Sequence, residues 1–387
     1  MTTRLRIGFI PLCDAVALLV AADKGFCAAE GLDVELVREV SWSNVRDKLN
    51  IGLFDAAHLL APVAIASSLG LGHVKVPIVA PFTLATNGNA VTVSPWLYNA
   101  LLAEAPDGLD DPMRSAQALA RLVASRKTRG ETPLTFGMTF PYSAHNYLLR
   151  FWMAAAGVNP DEDVHLVVLP PPYMVDSLAN KHVDGFCVGA PWNSVAVDLD
   201  IGRILHAGAD IVASMSEKVL AVRQVWADEN GETLARLLRA LARAGEFVEA
   251  AGNRDEVCAL LAAPNRVGVG PEVIRRTLDG RLTYARGGDV HASDNYFRIA
   301  REGAARPNPS HAAWLYAQMV RWGQAPLSPE LTTGAKAVFR PDIYDRVFGE
   351  WRTEPATSDG VGAFAGPAFR DDDVAAHLRT WATPAPR

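Results

Sequence analysis

The chain has 387 residues, 49% of them hydrophobic, and its 37 Lys and Arg against 43 Asp and Glu leave a formal charge of −6. That is enough apolar material for two or three packed domains, while the thinly spread cations lack the clustered basic face that direct nucleic-acid binding needs. No apolar run reaches the roughly 18 residues of a membrane span. The four cysteines, Cys13, Cys27, Cys187 and Cys258, have neither a CxxC pair nor a His at ligand spacing, so they read as buried thiols of a reducing compartment rather than a zinc site or disulfide framework.

In chain order, "LRIGFIPL" and "LDVELVREV" are predicted strands around the helical "DAVALLVAADKGFCAAEG", which Gly31 stops, giving a βαβ unit. The first strand is expected to be under way by Arg6. Five residues precede it, too few for the basic start, about 7 to 15 apolar residues and cleavage site of a secretory leader. The expectation is therefore a soluble protein without an export signal. A helix follows in "NVRDKL", then a turn at Gly52, a strand over 55–58 and a helix entered through Pro62. "VKVPIVAPF" and "AVTVS" add strands around the sharp turn of "TNGN". Residues 104–132 are polar and helical in pattern. A second series then reads strand 134–139, helix 144–156, strand 164–169, helix 174–180 and strand 185–188, which predicts two α/β lobes around a cleft. Beyond Arg223 the pattern is helical, with Leu234, Leu237, Leu238, Leu241 and Val248 on one core stripe.

No catalytic set stands out. "GLG" and "GVGVG" lack the strand, spacing and acidic partner of a dinucleotide loop, and there is no GxSxG, HExxH or phosphate loop. Instead, hydrogen-bond donors gather at strand ends and helix starts. Trp42 in "SWSNVRDKL" carries an indole N–H that can only donate, although a core Trp bonded to a carbonyl is the plainer reading. His145 in "TFPYSAHNYLLRFW" falls in the first turn of a helix, where free N–H groups and the positive helix end suit an anion and should lower the imidazole pKa; a solvated or capped His is the plainer reading. Lys218 in "SEKVLAVRQVW" sits beside Glu217 and before an apolar run, and Asn89 lies in "TNGNAVTV". Taken alone, the first reads as a surface lysine and the second as turn chemistry.

Together, "GFIPLCDAVALLVAADKGF", "SWSNVRDKLNIG", "AAHLLAP", "TNGN", "TFPYSAHNYLLRFWMAAAGVNPDEDV", "PPPYMV", "DGFCVGAPWN" and "EKVLAVRQVW" resemble, in this order, the nitrate- and bicarbonate-binding proteins of bacterial ABC importers, over residues 5–350. The resemblance implies the type II periplasmic-binding-protein fold, two α/β lobes around a central cleft with a helical C-terminal part. The first lobe is then expected in residues 1–86 and 219–351, the second in 87–218, and 352–387, rich in Pro, Gly, Ser and Thr, as a loosely packed tail. It further implies that nitrate or nitrite is held by Trp42, His145 and Lys218. Asn89 stands where the nitrate-binding branch carries a Gln, one methylene longer, so its contact is shifted or bridged by water. Retention of both His145 and Lys218 favours nitrate over bicarbonate. Where the branch usually has Glu in "FCVGAPWN" this chain has Ala190, removing a carboxylate and a possible metal ligand, so neither metal nor cofactor is expected.

A family member without an export signal resembles the cytoplasmic NasS-type nitrate/nitrite sensors. That resemblance implies a partner, an RNA-binding antiterminator of the response-regulator (NasT) type, held until the anion binds. The alternatives are the substrate-binding component of a nitrate ABC importer and an enzyme on the same fold, which would need an acid or base matched to a substrate.

Overall fold

The computed structural model describes residues 2–349 and 361–381. Strand β1 (Thr3–Phe9) begins with exposed Arg4 and Arg6 alternating with buried Leu5 and Ile7, then becomes wholly buried. It pairs in parallel with β2 (Leu32–Arg38) and with β3 (Ala56–Leu60). Parallel neighbours need a long crossover, which the intervening helices supply. Seven more strands follow: β4 (Ile78–Asn87), β5 (Asn89–Val93), β6 (Leu134–Met138), β7 (Val164–Val168), β8 (Gly185–Gly189), β9 (Arg203–Ala207) and β10 (Ser216–Arg223). They form two sheets. The first runs β4, β10, β3, β1, β2, with the short strand Phe297–Arg298 outside β4; the second runs β7, β6, β8, β5, β9.

The two sheets share one plan. In each, three parallel strands are followed by an antiparallel strand that has just arrived from the other lobe: β10 beside β3 in the first, β5 beside β8 in the second. This is the two-lobed type II periplasmic-binding fold. The crossovers lie side by side. β4 ends at Asn87 and β5 starts at Asn89, with Asn87 at φ 60° and Gly88 at φ 94°. A Cβ on residue 88 would stand 2.4 Å from a Phe297 ring carbon, so glycine is required on both counts. Across the junction, Asn87 N donates to the Met215 carbonyl at 3.0 Å and Met215 N donates to Asn87 Oδ1 at 3.1 Å. The lobes thus exchange chain at Gly88 and near Met215, so Asn87 and residues 216–218 sit in the first sheet rather than in the second lobe as expected from the sequence.

Several elements differ from expectation. Residues 104–132 hold a helix only over Pro112–Thr128, capped by Asp111, whose side chain accepts from Arg114 N at 2.8 Å. A separate helix, Pro95–Glu104, precedes it, with Pro95 in its first turn and Ser94 as its cap. The leucine stripe of helix Gly231–Glu249 is buried as expected. A loose tail does not describe residues 361–381: Phe364 and Trp381 pack edge-on against Phe151, at 5.7 and 5.0 Å between ring centroids, and Phe364 N donates to the Ile211 carbonyl at 2.9 Å. The remainder of that segment, 352–360 and 382–387, lies outside the described residues, as do 350 and 351.

Helix Ala144–Ala155 begins at a Ser143 cap whose hydroxyl accepts from Asn146 N at 3.1 Å, in a fully buried position. Ser143→Ala is expected to lower stability by about 1 kcal/mol, the usual cost of losing such a cap. Urea unfolding checks this, and an unchanged midpoint would assign the helix start to packing alone.

Candidate functional site

The carboxyl ends of the parallel strands meet where the two sheets face each other, the usual place for a ligand in open α/β sheets. Asp14 sits in the turn Cys13–Ala15 after β1, Trp42 opens the helix Trp42–Asn50 after β2, and His58 lies inside β3. From the second lobe come Asn89 at the start of β5, His145 in the first turn of helix Ala144–Ala155, and Gly189 at the end of β8. β10 supplies Glu217 and Lys218 in succession. Neighbours in a strand point to opposite faces, but the β10–β4 register shifts on both sides of Lys218, and this irregularity turns both side chains into one cluster.

Lys218 is its centre. The ammonium is fully buried, 2.9 Å from Glu217 Oε1 and 2.9 Å from Asp14 Oδ2, and 5.3 Å above the Trp42 ring. Asn89 Nδ2 donates to Glu217 Oε2 at 2.8 Å, and His145 Nε2 lies 3.3 Å from Glu217 Oε1. Gly189 closes one side: a Cβ there would come 3.2 Å from Asp14 Oδ2 and 3.7 Å from His145 Nε2. On the far side of Asp14, His58 Nε2 approaches Oδ1 at 2.8 Å, while Ile10 N donates to His58 Nδ1 at 3.4 Å. A donated bond at Nδ1 leaves the ring proton on Nε2, toward Asp14. His145 is arranged likewise. Its Nδ1 sits 3.0 Å from Thr139 Oγ1, and with that hydroxyl donating, the Nε2 proton faces the cluster.

The electrostatics follow from burial opposed by one cation. Burial alone would raise the Asp14 pKa, but Lys218 and His58 outweigh it and hold the carboxyl at about 2. Glu217 goes the other way: its burial outweighs the pull of Lys218, so its pKa is raised. Lys218 is raised despite burial, because two carboxylates face it. Both imidazoles are lowered, His58 by burial, and His145 well below the ordinary value by burial and then by Lys218. The sequence led to the right direction for His145, with helix position offered as the cause; burial and a neighbouring ammonium account for it here.

All four residues singled out from sequence, Trp42, Asn89, His145 and Lys218, are brought to this one place, each 1% exposed or less. Trp42 Nε1, His145 Nε2 and Asn89 Oδ1 are buried without a hydrogen-bond partner among the described residues. Three members were not foreseen: Asp14, His58 and Glu217. The expectation of a site poor in carboxylates is corrected, since Ala190 offers none but Asp14 and Glu217 stand within hydrogen-bond distance of the ammonium. One signal for them was available, because "CDAV", "AAHLL" and "SEKVL" each place a titratable residue inside an apolar run, where burial without a partner is costly.

Residues 1–262 match the NMT1-like family. The chain is 33% identical to the nitrate import ATP-binding protein NrtC of Synechocystis sp., a match covering 97% of this chain and 54% of that one, so it spans about half the length of that relative. It is 32% identical to the nitrate/nitrite binding protein NrtA of Synechococcus elongatus, over 96% of this chain and 84% of the relative. The crystal structure of the periplasmic nitrate-binding protein NrtA from Synechocystis PCC 6803 superposes with a TM-score of 0.87 at 26% identity, covering 99% of both chains.

Proposed function

The chain belongs to the NMT1-like family, and from that premise we propose that it is a binding protein for nitrate or nitrite, with the anion held between the lobes by Trp42, Asn89, His145 and Lys218. The observation that carries this reading is that donors from both lobes meet around one buried ammonium, with Trp42 Nε1 and His145 Nε2 left without hydrogen-bond partners among the described residues. A planar anion spreads its charge over several oxygens and accepts weakly at each, so it needs several preorganised donors and a desolvated cation. An anion that touches both lobes favours their closed arrangement.

Relatives that share most of the chain are named for nitrate or nitrite binding and import, which favours binding over catalysis. It also favours the role of substrate-binding component of a nitrate importer. The second reading is the cytoplasmic sensor that sequesters an RNA-binding antiterminator of the NasT type. What favours it is that all four cysteines are buried and unpaired, as in a reducing compartment. A partner that prefers open lobes and an anion that prefers closed ones oppose each other through linkage. A pull-down with such an antiterminator separates the two roles: a complex dissolved by nitrate supports the sensor, and no complex supports the importer component.

Binding itself is tested by calorimetric titration of the purified chain with nitrate, nitrite, bicarbonate and sulfate. One site that takes nitrate or nitrite and rejects sulfate is expected. Heat from bicarbonate or sulfate alone would overturn the reading.

A further inference from the structure

The cluster holds more negative charge than an anion site needs. Asp14 and Glu217 face a single ammonium, and the imidazoles beside them are driven toward the neutral form by burial. Adding an anion to two buried carboxylates and one cation leaves two uncompensated negative charges in a desolvated place. Glu217 also stands on two of the donors the anion requires: Asn89 Nδ2 donates to its Oε2 at 2.8 Å and Lys218 Nζ donates to its Oε1 at 2.9 Å, while His145 Nε2, without a hydrogen-bond partner among the described residues, lies 3.3 Å from Oε1. A carboxylate is itself a planar anion with two acceptor oxygens. Its position here is that of a tethered competitor.

We infer that Glu217 gates the site with a proton: ionised, it occupies the donors of the anion, and on taking one proton from solvent it releases them, so that anion and proton are bound together. This rests on the anion-binding reading above. Protonation turns an acceptor-only carboxylate into a neutral carboxyl with an O–H donor, which frees Asn89 and Lys218 and adds a further donor. The charge then balances as Asp14 against Lys218, with the one remaining negative charge being that of the bound anion. Every other titratable group near Glu217 is less suited to take the proton. Asp14 is held ionised by Lys218 and His58, and Lys218 is already charged. His58 is occupied at Nδ1 by the Ile10 amide, and His145 is held toward its neutral form by burial and then by Lys218. Cys187, within β8, is a buried thiol whose pKa burial raises, and it stays neutral. The device favours anions that remain deprotonated beside a carboxylic acid, as nitrate does.

The test is nitrate affinity as a function of pH for the wild-type chain and for Glu217→Gln. Because burial raises the Glu217 pKa, one-proton linkage predicts that the wild-type Kd rises about tenfold per pH unit between the pKa of Glu217 in the free chain and its higher pKa with nitrate bound. Glu217→Gln keeps the shape without the charge, so its Kd should be flat with pH and at least tenfold tighter than wild type at the alkaline end. In wild type, the infrared difference spectrum on nitrate addition should gain the C=O band of a protonated carboxyl, which needs no variant to fold. A flat wild-type profile, a Glu217→Gln profile with the wild-type slope, or no such band overturns the gate while leaving the anion site standing. Absence of nitrate binding by both proteins at every pH instead overturns the reading on which the gate rests.

Discussion

Lys218→Met is expected to abolish measurable nitrate binding and to cost about 3 to 5 kcal/mol of stability near neutral pH, the penalty for stripping a buried charge of its partner. Methionine keeps most of the stem, so lost packing contributes little. The loss depends on pH, and its sign follows from the carboxyl left behind. In the wild type, Asp14 is held at about 2 against an ordinary 3.8; it therefore contributes stability that is present above about pH 4 and lost as pH falls toward 2. Without Lys218 only burial and His58 remain, and burial, the largest influence on Asp14 and on Glu217, raises both. Folded pKa values above the unfolded ones make stability fall as pH rises through them. The deficit of Lys218→Met should then be largest near pH 8 and shrink near pH 5, read by urea unfolding at each. An equal deficit at both would show that the lysine acts by packing and not by charge.

Gly208→Ala should be the most damaging single methyl in the second lobe. Gly208 opens the short helix after β9, and a Cβ there would stand 1.7 Å from Asn89 Oδ1 and 2.9 Å from its Cγ. Asn89 is 1% exposed and tied to Glu217, so it has little room to yield. Overpacking of this kind costs about 1 to 3 kcal/mol, and a displaced Asn89 should weaken nitrate at least tenfold, about 1.4 kcal/mol. The double variant Asn89→Ala with Gly208→Ala removes the clash. Its stability should exceed the sum of the single effects, since residues in contact do not add; strict additivity would refute the contact.

The βαβ series was legible because strand and helix periods alternate cleanly, and the short, fully buried β3 and β8 were found from their apolar runs between breakers. Pro95–Glu104 was missed because its apolar residues show no clear stripe: only Leu97 and Leu101 are buried. The site was half legible. Trp42 and His145 sit at helix starts, a place with a physical signature in sequence. Glu217 was passed over because no strand was expected over 216–223; even in a strand two adjacent charges imply opposite faces, and the register shift that defeats this rule depends on how β10 meets β4. Asp14 and His58 belong to elements that become neighbours only when β1 and β3 pair, so nothing local joins them. Lys218 looked like a surface lysine because sequence shows its charge but not the two carboxylates that make its burial tolerable.

One anion should bridge the lobes at this cluster, and a crystal structure of the chain grown with nitrate is the test. The expected result is a nitrate within hydrogen-bond reach, roughly 2.7 to 3.2 Å, of Trp42 Nε1, His145 Nε2 and Lys218 Nζ, with Asn89 turned from Glu217 toward it. Nitrate bound anywhere else would contradict it, whereas nitrate bound here while Glu217 keeps Asn89 and Lys218 as its partners would overturn the Glu217 gate alone.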